Sequence, residues 1–305
     1  MTLTEVYEKV GEGIQLSFGY FMDPNKRIFF AFLITSFLLS YYVFRSTRVQ
    51  GTFLKYVFNA KVWMGTSPSI DYCFLVFNGV FKVFAIAPLL VVGLYVSFYT
   101  KEFLLDHLGY LEFEISEFWI VTLYTVTLFV VKDFSSYWVH WLFHKVPFLW
   151  RFHKVHHSAR VLNPITQYRI HPIELVANNL KGLVVFGVVT GIFDFLSNGK
   201  FSIYTIFGVN VLGFLFLTLG ANLRHSHVKL KYPSWLENYL ISPVQHQIHH
   251  SDDPQHFDRN FGSVLAIWDR LFGSLIKSKG IQRIRFGLGK EENLRFSSFW
   301  RNLFP

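Results

Sequence analysis

Long uncharged apolar runs alternate with short basic segments along this chain. Residues 28–44 carry no charge between Arg27 and Arg45, and residues 72–100 carry only Lys82. Residues 118–131 are uncharged, and the apolar pattern resumes after Lys132 and Asp133. Residues 182–199 hold only Asp194, and residues 201–222 hold no charge at all. About 20 apolar residues suffice to cross a bilayer as a helix. The pattern therefore predicts five candidate spans. The fourth reads as the weakest, a short or tilted helix paired with the fifth. The expected fold class is all-α: a polytopic membrane helix bundle of about four to five spans.

Charge placement orients that bundle. Segment 45–71 has four Lys/Arg, segment 141–181 has six and the stretch from 223 onward has twelve. By contrast, 101–117 sets one Lys against five acids, and Lys200 is the only basic residue between the last two candidate spans. The bias of Lys and Arg towards cytoplasmic loops places the three basic segments inside the cell. Five spans then put the N-terminus outside, whereas a first helix lying in the membrane plane would put it inside. The opening residues lack the basic and apolar regions of a signal peptide, so the first span is expected to direct insertion itself. Three regions follow: N-terminal membrane spans over 1–132, a central region over 133–275 that includes a membrane hairpin, and a cytosolic tail over 276–305.

Composition sharpens the class. Hydrophobic residues make up 51 %, aromatics 19 % and charged residues 16 %, against about 25 % charged in a soluble domain. The mean hydropathy is +0.31. A net charge of +9 beside apolar runs points to anionic lipid or cytoplasmic loops, and no nucleic-acid motif is present. With Cys73 alone no internal disulfide can form, and its place at the start of an apolar run suggests a small buried hydrophobe.

The chemistry lies in the histidines. Eleven of thirteen fall between residues 140 and 250. Eight form three motifs: His140 with His144, then His153, His156 and His157, then His246, His249 and His250. Positions i, i+3 and i+4 share a helical face, so each motif aims two or three imidazoles at one region. A helix from Phe118 to His140 rises roughly 33 Å, close to the hydrocarbon thickness, which sets His140 near the cytoplasmic interface. Unpartnered imidazoles are costly to bury, and metal is the commonest strong reason for such a cluster. Eight ligands exceed one zinc site, so two metals fit the count better. Nitrogen ligation alone is compatible with iron, zinc or copper. The expectation is a cytosolic histidine-rich helical cap holding a dimetal centre.

His171 and His225, at the mouths of spans, join the candidate ligands. His107 and His256 read as ordinary surface histidines. Metal-bound imidazoles commonly pass their other N–H to a carboxylate or carbonyl. Asp133, two turns before His140, and Glu174, three residues after His171, are therefore candidates to orient ligands, as is Asp269. Each reads equally well as a helix cap or an ion-pair partner.

These motifs resemble the fatty acid hydroxylase / sterol desaturase superfamily of membrane histidine-box di-iron oxygenases. The matching text runs from Asp133 through His140-x3-His144 and Pro147-Phe-Leu-Trp-Arg-Phe-His153-Lys-Val-His156-His157-Ser158. It continues with His171-Pro-Ile-Glu174, His225-Ser-His227, His246-Gln-Ile-His249-His250-Ser251, and Asn260-Phe-Gly through Asp269 to Gly273. The resemblance covers roughly 133–275. It implies two iron ions (zinc possible as a substitute), O2 as co-substrate and attack on a lipid C–H bond, by hydroxylation or desaturation. The implied metal ligands are His140, His144, His153, His156, His157, His171, His225, His246, His249 and His250. His227 departs from the family, in which many members carry Asn at this position, and is assigned with Asp133, Glu174 and Asp269 to the supporting shell.

The chain has no haem-attachment motif, no cysteine set for an iron–sulfur cluster and no dinucleotide fingerprint. A separate reductase with a ferredoxin or b-type cytochrome is thus the expected electron donor, and the bilayer supplies a lipid substrate. Two other classes compete. A histidine-rich membrane metal transporter or binding protein should carry its ligands at the membrane midplane rather than beyond span ends. A membrane zinc hydrolase needs one three-ligand site and a general base.

Overall fold

The computed structural model describes residues 1–111, 115–199, 201–281 and 283–305. Glu112, Glu114 and Lys200, which enter the charge counts above, lie outside the described residues. Among those described, three helical stretches are long and apolar enough to cross a membrane: Thr66–Leu108, Glu117–Lys145 and Pro172–Leu196. The chain is a mostly helical membrane protein.

Helix α1 (Leu3–Gly19) starts at a reciprocal cap, with the Glu5 amide donating to Thr2 Oγ1 and the Thr2 amide to Glu5 Oε2. It lies along α3 (Thr66–Phe81), where Gly13 and Gly79 let the two backbones touch. A Cβ on Gly79 would stand 1.9 Å from Ser17 Oγ. That hydroxyl donates to the Leu75 carbonyl at 3.0 Å. Helix α2 (Phe30–Ser46), the first candidate span, is apolar but only 17 residues long. Cys73 lies exposed on α3 rather than buried.

The second candidate span is not one straight helix. After α3 the chain makes a π-helical turn (Lys82–Ile86) and a 3-10 turn (Ala87–Leu89) before α4 (Leu90–Leu108). Pro88 is the physical cause, since it has no amide to donate and its ring crowds the preceding turn.

Helices α5 (Glu117–Lys145) and α7 (Pro172–Leu196) are joined through the short helix α6 (Pro147–His157). Helix α7 is a full-length helix and extends well upstream of the predicted 182–199. His171 caps it by accepting from the Ile173 amide, and Pro172 occupies the first turn. Its Gly187 and Gly191 face α4, where added Cβ atoms would come within 2.6 Å of Val96 Cβ and 2.4 Å of the Ser97 carbonyl. This small-residue crossing matches a common membrane packing mode. Asp194 is neutralised by Lys101 of α4 at 3.1 Å.

The fifth candidate span is corrected by the structure. Residues 201–222 do not form one long helix. They form a hairpin, β1 (Thr205–Ile206) against β2 (Val209–Asn210), followed by α8 (Val211–Thr218). Eight helical residues rise only about 12 Å. The hairpin turns at Phe207 and Gly208, both at positive φ, and Gly220 at φ 83° ends the segment. Such irregular backbone is tolerated at membrane depth when protein supplies its hydrogen bonds. Thr125 of α5 does so: its hydroxyl accepts from the Tyr204 amide and its carbonyl from Asn210 Nδ2. Mean hydropathy does not register these breaks.

Beyond the spans the remaining chain folds into a cap. Arg169 and Asp71 form a fully buried ion pair at 3.2 Å, and Thr166 donates to the same carboxylate. The C-terminal segment packs onto this cap. Asn302 accepts from Ser158 and Arg169, and Phe299 packs edge-on to Phe74. Helix α9 (Pro243–His249) begins at a second reciprocal cap, between Ser242 and Gln245.

Candidate metal centre

His140 and His144 lie in the last turns of α5. His153, His156 and His157 occupy the end of α6, His246 and His249 the end of α9 with His250 at its cap, and His225 the end of a 3-10 turn (Ala221–His225). These nine side chains meet and divide into two groups. One comprises His140, His144, His153, His157 and His249; the other His156, His225, His246 and His250. Within each group the available ring nitrogens lie within 4.8 Å of one another.

Helix periodicity explains the division. With about 100° per residue, position i+4 lies about 40° to one side of i, and i+3 about 60° to the other. His153 and His157 therefore serve one group while His156 turns to the second. The α9 motif does the reverse: His246 and His250 join the second group, and His249 crosses to the first.

Backbone carbonyls set the tautomers. His140 Nδ1 donates to the Phe261 carbonyl, His249 Nδ1 to that of Arg259 and His156 Nδ1 to that of Arg169, at 2.8, 2.8 and 3.2 Å. A carbonyl can only accept, so these rings carry their proton on Nδ1. Burial pushes the His153 and His156 imidazoles down to about 3. The same cause, reinforced by neighbouring imidazoles, holds His157, His225, His246, His249 and His250 well below the usual range. A neutral ring protonated on Nδ1 presents a bare lone pair at Nε2.

The ring nitrogens of the second group converge. Nε2 of His225 lies 3.2 Å from that of His156 and 3.1 Å from those of His246 and His250. Four nitrogens bound at 2.0–2.1 Å around a tetrahedral ion would stand about 3.4 Å apart. In the first group, Nε2 of His144, His157 and His249 are buried with no protein partner. Both groups thus fit a bound metal cation, which supplies the partner that the lone pairs lack.

The supporting residues act at different removes. Glu174 Oε1 stands 3.0 Å from His153 Nδ1, an electrostatic contact off the axis of the ring N–H. Asp269 accepts from the Phe261 and Gly262 amides and from Ser274, and so holds the carbonyl that orients His140. Asp133 fixes the same loop through the Val264 and Leu265 amides and Trp268 Nε1. The three orienting carbonyls were not legible in the sequence, because any residue type supplies one.

Two candidate histidines lie apart from both groups. Both ring nitrogens of His171 are engaged, Nδ1 in capping α7 and Nε2 with the Leu303 carbonyl at 3.1 Å. His227 directs Nε2 to the Tyr56 carbonyl at 2.8 Å and packs against the Tyr56 ring. Of the two read as surface residues, His107 is exposed, whereas His256 is buried.

Comparison with known proteins bears on the segment that carries these histidines. Residues 125–274 match the family model described as fatty acid hydroxylase. Through that segment the chain belongs to the fatty acid hydroxylase family. It is 28 % identical to an alkylglycerol monooxygenase of Xenopus tropicalis over 161 residues, covering 52 % of this chain and 32 % of that protein. It is 28 % identical to the ornithine lipid hydroxylase OlsE of Rhizobium tropici, covering 51 % and 43 %. To the lathosterol oxidase of Mus musculus it is 25 % identical, covering 56 % and 53 %. The chain thus spans between about a third and a half of these relatives' lengths. No solved structure matches it.

Proposed function

We propose that this protein is an integral-membrane oxidoreductase that uses two bound iron ions and O2 to hydroxylate or desaturate a lipid C–H bond. The observation that carries this reading is the division of nine buried histidines into a group of five and a group of four. Five imidazoles exceed the four ligands usual for zinc, and all-nitrogen ligation is compatible with iron. The lipid-oxidising names of the relatives support a lipid substrate. Bound iron would supply the oxidising power for an unactivated C–H bond.

The chain's own residues hold and shield that chemistry. The nine histidines are the proposed ligands. Glu174 and the carbonyls of Phe261, Arg259 and Arg169 hold their rings in register. Two cavities reach the centre. One, of about 330 Å³, borders His140, His153 and His225 and is walled by span residues including Val139, Phe143 and Leu175. The other, of about 360 Å³, borders His144, His157 and His249 and is walled by cap residues including Phe257 and Leu288. The first is the proposed lipid entrance. The cap side is the proposed approach for a separate reductase, ferredoxin or b-type cytochrome, and it faces the cytoplasm in this reading.

The test joins metal analysis to lipid mass spectrometry. Active protein should hold about two irons per chain, and expressing cells should contain a lipid that has gained one oxygen or lost two hydrogens. Full activity with one metal or none would refute the reading. The transporter alternative requires metal flux without any change in lipid mass.

A further inference from the structure

The cavity beside His140 carries a charge pattern that metal binding does not explain. Lys26, Arg27, Lys82, Lys181 and Arg224 all line it. They come from separate parts of the chain: the segment before α2, the turn after α3, the middle of α7 and the 3-10 turn after α8. The one lining carboxylate, Glu174, is turned towards His153. Among the described residues, only Lys26 of the five has a carboxylate at ion-pair distance, Asp23 at 3.5 Å. Lys82 donates to the Tyr20 hydroxyl at 2.8 Å, Lys181 to Ser136 Oγ at 2.7 Å and Arg224 to the Ser263 carbonyl at 2.6 Å.

Arg224 is the most telling. It is 2 % exposed, and its Nε has no partner. A buried guanidinium with an unused donor is expensive, and further cations around the same cavity add to the cost. A multiply charged anion would relieve both. Guanidinium groups match the paired oxygens of phosphate, and lysines add point charge. The carbonyl oxygen of Asn78, also buried and unpartnered, could accept from a hydroxyl on the same ligand. Because this cavity shares its wall with His140, His153, His156, His225 and His246, a group bound there lies beside the metal centre.

We propose that this cavity binds the anionic, phosphate-bearing headgroup of the lipid substrate. The proposal rests on the lipid-oxidase reading and narrows its substrate class to phospholipid-like anions over neutral lipids. It also places the oxidised carbon near the headgroup end of the chain rather than at its tip.

Binding can be measured apart from turnover. The purified full-length, metal-loaded protein in detergent would be titrated with phosphatidate, with diacylglycerol of the same chains and with inorganic phosphate. Native mass spectrometry and thermal shift would report occupancy. The expected result is at least tenfold tighter binding of phosphatidate than of diacylglycerol, with little protection by millimolar phosphate. Arg27→Gln and Lys181→Gln should each weaken phosphatidate binding about tenfold at unchanged metal content, while Lys181→Arg restores it. Equal binding of the two lipids, or indifference of both Gln variants, would overturn the proposal. Protection by inorganic phosphate equal to that by phosphatidate would mark a free-phosphate site and overturn it too. Tight phosphatidate binding without oxidation of any lipid would retire the oxidase reading alone. Oxidation of lipids with no preference for the anionic headgroup would retire the headgroup proposal alone.

Discussion

His156 lies one residue from His157, yet the two turn to different groups. That partition makes single substitutions informative. His157→Ala should disturb the five-membered group and His250→Ala the four-membered one. Each variant should fall from about two metals to about one, with turnover lost, as read by elemental analysis of folded protein. His171→Ala and His227→Asn should retain both metals, since His171 caps α7 and His227 meets Tyr56. Loss of a metal in either would return that residue to the ligand set. Glu174→Gln keeps the shape but removes the charge facing His153, and such supporting residues typically contribute 10–100-fold in metal affinity or activity. A competition titration with a chelator should show a loss of that order, and an unchanged affinity would leave Glu174 without an orienting role.

At the scale of elements, glycine spacing decides how closely the spans approach. Gly187 and Gly191 hold α7 against α4, and Gly13 and Gly79 hold α1 against α3. Gly187→Leu should cost at least the ~1–3 kcal/mol typical of overpacking, because backbone as well as side chain stands in the way. A lower thermal midpoint in detergent is the expected readout, and an unaltered midpoint would mean that the two helices separate freely. Asp269→Ala should act on the site from a distance. It strands the buried Phe261 and Gly262 amides at about 1–3 kcal/mol each and loosens the carbonyl that orients His140. The expected outcome is weaker metal retention with all nine histidines intact.

For the whole molecule, orientation in the membrane is the property to test. The Lys/Arg asymmetry predicts that 141–181 and the C-terminal segment face the cytoplasm. Arg160 and Lys290 are exposed, so cysteines at those positions in a Cys73-free background can be labelled. Impermeant reagent should reach them only from the cytoplasmic side. Labelling from outside would invert the orientation and move the proposed docking of the electron donor with it.

Hydrophobic runs were enough to indicate a helical membrane protein, and the resemblance carried by the histidine motifs its family, because both signals are local. Burial of an apolar helix and the facing of i, i+3 and i+4 need no distant partner. The same locality explains the errors. An uncharged stretch at 201–222 reads as a span, although Thr125, 79 residues from Tyr204 in sequence, makes a hairpin possible there by accepting its backbone amide. Segment 182–199 reads as weak because the pairing of Asp194 with Lys101 is invisible in a window around either residue. Sorting nine histidines into five and four, excluding His171 from both groups and gathering five cations on one cavity were decided by tertiary structure alone. Each depends on groups that are brought together only when the spans pack.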